Sequence, residues 1–253
     1  MSSVAGKIVR DILDLNPFEP RESEIHGLEH AYRVQAEVTA LLLSQVPDRR
    51  VAGYKIAFNR RSSLEYYGLS EPCYAPLFSD QIHASGAALP IAQFRDLVVE
   101  PEIAVRLRSS LRGDENRTAV AAAIAGLCPA IEVMDLRGAL ARDPSAAAAV
   151  AQRVHSEGAV IAVESPGEAP DVADVVARLS IDGIELGAAH SSAPQTPLDA
   201  IAWLALCLAA QGLALEAGMY ILTGALLPGS PVKQPGQLVA TMEPLGSVSV
   251  TLV

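Results

Sequence analysis

Residues 98–105, reading Val-Val-Glu-Pro-Glu-Ile-Ala-Val, restrict this chain more than any other stretch. Side chains alternate along a strand, so Val99, Ile103, Val105 and Leu107 fall on one face and Glu100 and Glu102 on the other. The first face demands a core. The second holds two carboxylates that repel each other unless a proton or a cation relieves them. A third carboxylate, Glu132, sits in a second strand-like run, Pro-Ala-Ile-Glu-Val-Met-Asp at 129–135. Two readings stand at this point. Glu100 and Glu102 are the wet face of an amphipathic strand, or the three acids together hold a hard divalent ion such as Mg²⁺ or Mn²⁺, which takes oxygen ligands and needs no cysteine or histidine.

The chain has 253 residues, half of them hydrophobic, enough for one large domain or one domain with a small extension. A net charge of −10 argues against non-specific binding to nucleic acid or to anionic membranes. The three cysteines, Cys73, Cys128 and Cys207, are far apart and form no CxxC, which suits a reducing compartment. No basic segment followed by an apolar stretch opens the chain, so the expected location is cytoplasmic. The apolar run at 200–210 is too short to cross a bilayer and reads as a buried helix.

Apolar spacing predicts helices over 4–15 and from Ser23, as N-cap, to Pro47. His26 and Glu29 lie one turn apart there and are either an acid–base dyad or an exposed pair. A strand over 51–58 carries Lys55, which alone reads as a solvated edge lysine or a buried functional one. Arg60 and Arg61 follow in a polar loop, and Asp80 ends an apolar turn. Thr118 is expected to cap a short alanine-rich helix ending at Gly126. Asp143-Pro144 opens a helix expected to run to Gly158, and 159–163 is a buried strand. Asp182-Gly183 marks a hairpin with a type I′ turn. Thr196-Pro197-Leu198-Asp199 starts a helix, and three strands over 219–222, 237–242 and 246–253 finish the chain. The pattern is a mixed, strand-rich α/β fold with a helical N-terminal region, 1–50, ahead of a main domain, 51–253.

Seven blocks then fall in register: Gly53-Tyr54-Lys55-Ile56, Leu77-Phe78-Ser79-Asp80, Val99-Glu100-Pro101-Glu102-Ile103-Ala104, the Glu132 run, Ala202-Trp203-Leu204-Ala205, Ile221-Leu222-Thr223-Gly224 and Leu245-Gly246-Ser247-Val248-Ser249. Together they resemble the fumarylacetoacetate hydrolase superfamily, in its branch of 2-oxopent-4-enoate hydratases and 4-oxalocrotonate decarboxylases. The resemblance implies a β-roll fold. It also implies that Glu100, Glu102 and Glu132 bind Mg²⁺ or Mn²⁺, with Lys55 and Asp80 facing the substrate and Leu77 and Thr223 around it. Apart from the resemblance, Arg60 or Arg61, but not both, would suit a dicarboxylate substrate, or the two belong to a solvated basic loop. The implied activity is that of a lyase on 2-oxo or 2-hydroxydienoic acids. Hydration of a 2-hydroxypenta-2,4-dienoate to a 4-hydroxy-2-oxo acid through an enolate ranks first, and decarboxylation of a 2-oxo-3-enedioate second. Hydrolysis of an acylpyruvate, using His26 and Glu29, and a non-catalytic subunit partnering a sister enzyme rank lower. A homo-oligomer is expected from family precedent.

Two departures from the family pattern bear on the substrate. Gly-Leu-Thr-Ser after the lysine block is replaced by Ala57-Phe58-Asn59-Arg60, and Asp-Asn-Ala is replaced at Gln152-Arg153-Val154-His155.

Overall fold

The computed structural model describes residues 3–21, 23–142, 144–166, 175–190 and 195–253. Its centre is a sheet whose strands run in the order Cys73–Phe78, Val51–Ala57, Tyr220–Ala225, Leu97–Leu107, Ile124–Asp135, Ser156–Ile161 and Ile82–Ala84. The two longest strands, Leu97–Leu107 and Ile124–Asp135, pair antiparallel at its middle. The sheet curls until strand Cys73–Phe78 meets strand Ser156–Ile161. Arg153 ties this seam by donating from Nη2 to the Pro76 carbonyl at 3.0 Å.

Paired residues share a face, so the register sorts the side chains. Inside the roll lie Leu77, Ala104, Cys128, Ala130, Ala159, Ile161 and Leu222. Small residues dominate because the concave face leaves little room. The convex face carries Ile56, Ile103, Val105, Ile131, Val133 and Ile221. A second sheet, ordered Ile184–His190, Val176–Ile181, Gly236–Glu243, Gly246–Leu252 and Ala87–Leu89, covers that face with Leu179, Leu238, Ala240 and Val250. Helix Pro197–Ala209 adds Ile201, Leu204 and Leu208 to the same core. Thr196 caps this helix by accepting the Asp199 N–H, as the sequence predicts. Asp182 and Gly183, at φ +48° and +79°, make the expected hairpin turn.

The N-terminal helices, Val4–Leu13 and Gly27–Leu43, build a separate apolar cluster with Phe78, Val150 and Val154. The second helix starts three residues later than expected, with His26 and not Ser23 at the N-cap. Ser23 lies in a turn closed by the Arg21 carbonyl, which accepts the Glu24 and Ile25 N–H groups, and Gly27 at φ +75° separates that turn from the helix. The alanine-rich helices are shorter than their composition suggests. Asn116, not Thr118, caps helix Arg117–Ala122, and Gly126 already lies in a strand. Ser145 caps helix Ala146–Ala151, which stops seven residues before Gly158, while Asp143 lies outside the described residues. The cause of that early stop is a left-handed run, Arg153, Val154 and His155, at φ +55°, +46° and +59°. No helix among the described residues is long and apolar enough to cross a membrane.

Candidate metal centre and active site

The alternation of strand Leu97–Leu107 puts Glu100 and Glu102 on the concave face, and its pairing sets Glu100 opposite Glu132 and Glu102 opposite Ala130. Curvature does the rest. One carboxylate oxygen from each of Glu100, Glu102 and Glu132 lies within 4.8 Å of the others. Glu102 and Glu132 are buried, and Glu100 is partly exposed, which leaves the trio an open side. Burial and the Glu132 charge push the Glu100 carboxyl up to about 7. Burial and the other two acids push Glu102 well above the ordinary carboxylate range.

Lys55 answers from the neighbouring part of the roll. Its Nζ is 2.7 Å from Glu132 Oε1, with both side chains sealed from solvent. Burial alone would strip its proton, but Glu132, Glu100 and Glu102 more than offset this and hold it above the ordinary lysine range. Met134 lies against the same ammonium, its sulfur 3.8 Å from Nζ. Glu102 Oε2 accepts the Gly224 N–H at 2.7 Å. Gly224 sits at φ +109° with no space for a Cβ beside the Asn59 amide, so only glycine supplies that donor.

The trio fits a hard dication. Glu132 Oε2 and Glu102 Oε1 are buried without a hydrogen-bond partner among the described residues, and Glu132 Oε1 has only the Lys55 ammonium. Three carboxylates and one ammonium leave a net charge of −2, which a divalent ion neutralises. An octahedral ion would keep about three positions for water or substrate.

The remaining candidates divide. Arg60 reaches the site: its Nη2 donates to the Leu226 carbonyl at 2.9 Å, and its charge acts on Glu100. Arg61 turns out to solvent and pairs with Glu65. Leu77 is buried inside the roll on the Lys55 face. Asp80 does not join Lys55. The strand ends at Phe78, and a short turn carries Asp80 to the surface, where Arg49 grips both its oxygens at 2.9 and 3.1 Å from Nε. The Thr223 hydroxyl is taken up within the sheet, donating to the Ile103 carbonyl at 3.0 Å, and it is the next residue, Gly224, that touches an acid of the trio. His26 and Glu29 form no dyad: His26 stacks on His30, and Glu29 pairs with Arg33. Met134 and the Gly224 N–H had escaped the sequence reading. The alternation that places Glu132 would also have placed Met134, two residues on, beside it.

This architecture has clear relatives. The chain is 30% identical over 223 residues to a 4-oxalocrotonate decarboxylase of Pseudomonas sp, covering 86% of this chain and 85% of that one. It is 30% identical over 217 residues to a 2-keto-4-pentenoate hydratase of Burkholderia vietnamiensis, covering 83% and 80%. Its fold matches 4-oxalocrotonate decarboxylase from Pseudomonas putida G7, solved with calcium and acetate, with a TM-score of 0.89 at 22% identity over 98% of this chain and 95% of that one. No family model matches the chain. The chain belongs to the fumarylacetoacetate hydrolase superfamily, in the branch of 2-keto-4-pentenoate hydratases and 4-oxalocrotonate decarboxylases.

Proposed function

We propose that this protein is a divalent-metal-dependent lyase acting on 2-oxo and 2-hydroxydienoic acids, with Mg²⁺ or Mn²⁺ held by Glu100, Glu102 and Glu132. The observation that carries the reading is the convergence of three carboxylates, two of them sealed from solvent, that the Lys55 ammonium and the Gly224 N–H satisfy only in part. Relatives named as hydratases and as a decarboxylase of such acids support it. When bound, the ion supplies Lewis-acid stabilisation to the carboxylate and C2 oxygen of a 2-oxo acid.

The chain's own residues supply the rest. Lys55, protonated and buried, places a positive charge beside the enolate that develops at C2 and keeps a proton at Nζ within reach of it. The Gly224 N–H fixes Glu102, and Met134 limits the movement of the lysine. Arg60 offers a guanidinium at the open side of the trio, suited to a substrate carboxylate.

Hydration is the first reading: a 2-hydroxypenta-2,4-dienoate takes a proton at C5, and water then adds at C4. Decarboxylation of a 2-oxo-3-enedioate passes through a related dienolate, and Arg60 favours it by suiting a second carboxylate. Two incubations with Mg²⁺ test the proposal. Loss of the dienol absorbance of 2-hydroxypenta-2,4-dienoate identifies a hydratase, and CO₂ release from 2-oxo-3-hexenedioate identifies a decarboxylase. Inertness toward both substrates overturns the reading.

A further inference from the structure

Beyond the alanine-rich helix lies a concentration of buried polarity that the metal chemistry does not use. The side-chain amide of Gln152, both ring nitrogens of His155 and the hydroxyl of Ser156 are buried and have no hydrogen-bond partner among the described residues. The three residues are 2%, 5% and 2% exposed. Buried donors and acceptors are costly unless something polar meets them.

Ser156 and His155 border the active site, the His155 ring also packing on Phe18 with centroids 5.6 Å apart, and Gln152 adjoins them through its carbonyl, which accepts the His155 N–H at 3.1 Å. Ser156 pairs with Met134, so the two share the concave face, and Met134 touches the Lys55 ammonium. His155 lies close enough to Lys55 and Arg137 to feel both charges. The left-handed backbone from Arg153 to His155 sets the ring there, and a β-branched residue such as Val154 adopts that conformation only where its surroundings compel it.

Gln152, His155 and Ser156 are polar and uncharged, and the one charge in the segment is that of Arg153. Burial, reinforced by Lys55 and Arg137, pushes His155 down to about 3, so the ring is neutral, with one donor and one acceptor. The neighbouring cations are already matched: Lys55 by Glu132, and Arg137 by Asp135 at 2.8 Å and Glu157 at 2.6 Å. Arg153 lies across the Phe78 ring, 4.0 Å from its centroid, with Nη2 on the Pro76 carbonyl. Its Nε is buried without a hydrogen-bond partner among the described residues, so it borders the neutral groups as a cation held by a carbonyl and a ring. A water molecule, which both donates and accepts, matches the cluster.

We propose that Gln152 and His155, together with Ser156, hold the water that adds to C4 of the substrate in the hydratase reaction. The proposal rests on the reading of the site as a 2-oxo acid lyase. In the step, the water oxygen bonds to C4 of the conjugated 2-oxo-3-enoate. The C3–C4 π pair moves into the enolate spanning C3, C2 and its oxygen. The proton released by the water is balanced by one taken up at C3 as the enolate collapses. Nothing is oxidised or reduced, and the product is a 4-hydroxy-2-oxo acid.

The test uses the Mg²⁺-loaded protein and its His155→Leu, Gln152→Leu and His155→Asn variants with two readouts. One is hydration of 2-hydroxypenta-2,4-dienoate. The other is exchange of the C3 protons of 2-oxopentanoate with D₂O, followed by NMR, which needs enolate formation but no added water. Both leucine variants should lose hydration by about 10²-fold, the scale of losing a positioned reactant, while exchange is unchanged. His155→Asn, which keeps a donor and an acceptor, should recover part of the hydration rate. Hydration at the wild-type rate in the leucine variants overturns the proposal. So does a parallel fall of hydration and exchange, which marks a structural role. A wild-type protein that exchanges but releases CO₂ from 2-oxo-3-hexenedioate in preference to hydrating the dienoate overturns the water assignment alone. A wild-type protein that does not exchange overturns the lyase reading beneath it.

Discussion

Lys55 Nζ and Glu132 Oε1 stand 2.7 Å apart, with 1% and 0% of their side chains exposed. The contact joins two strands that are not neighbours in the sheet, so it reports the curl of the roll as much as local chemistry. On the proposed function it also links stability to activity, because the lysine that balances the trio would face the reaction.

Lys55→Met keeps much of the bulk and removes the charge. Breaking a buried pair from one side costs about 3–5 kcal/mol, so the metal-free variant should melt well below the metal-free wild type. Saturating Mg²⁺ should narrow that gap by relieving the trio. Turnover should fall more than Mg²⁺ affinity does. Calorimetric melts and metal titration check both, and an unchanged kcat removes Lys55 from the mechanism.

Metal affinity should depend on pH around neutrality. Without metal, the Glu100 carboxyl is pushed up to about 7, and it must lose its proton to bind a cation. Affinity should therefore fall as the pH drops through that value, by about tenfold per pH unit for each proton displaced, with Glu102 adding its own proton to the count. The linked effect on stability has the same origin. The folded pKa lies above the unfolded value of 4.5, so the metal-free fold binds more protons than the unfolded chain between the two and loses stability as pH rises through that window. Because His155, pushed down to about 3, acts in the opposite sense, the Glu100 part is read by difference: between roughly pH 8 and pH 5 the metal-free wild type should gain melting temperature relative to Glu100→Gln, and added Mg²⁺ should raise the wild type mainly at the alkaline end.

Gly224→Ala should harm both fold and site. The residue sits at φ +109°, and a Cβ there would run into the Asn59 amide. The backbone penalty alone is about 1–3 kcal/mol. Because the Gly224 N–H holds Glu102 at 2.7 Å, Mg²⁺ binding should weaken as well. A variant with wild-type stability would show that Asn59 moves aside freely.

Asp80→Asn and Arg61→Ala are expected to be quiet, whereas Arg60→Ala is not. The Asp80–Arg49 pair is partly exposed, and pairs of that kind contribute about 1 kcal/mol or less. Neither quiet variant should change turnover. Arg60→Ala should raise KM, since its guanidinium lies beside the trio. If Asp80→Asn abolishes activity, the surface placement of Asp80 does not describe the working enzyme.

The convergence of Glu100, Glu102 and Glu132 was legible because two physical regularities coincide on 97–107 and 124–135. Period-two alternation assigns the faces, and carboxylates on a concave face have few other uses. Lys55 was not legible alone, since one lysine in a strand reads as an edge residue until the curl of the sheet buries it. Asp80 was misplaced because its partner, Arg49, lies 31 residues earlier, and no local pattern announces that pairing. The segment after Ala151 deceived for a different reason: alanine content favours helix, and the left-handed run from Arg153 to His155 overrides that propensity through tertiary contacts.

The central claim is that Glu100, Glu102 and Glu132 together hold one dication. Titrating the metal-free protein with Mn²⁺ and following free ion by electron paramagnetic resonance tests it most directly. The account predicts a single site per chain that is lost in Glu102→Gln and in Glu132→Gln while circular dichroism shows both variants folded. Mn²⁺ binding of wild-type strength in either variant would contradict it.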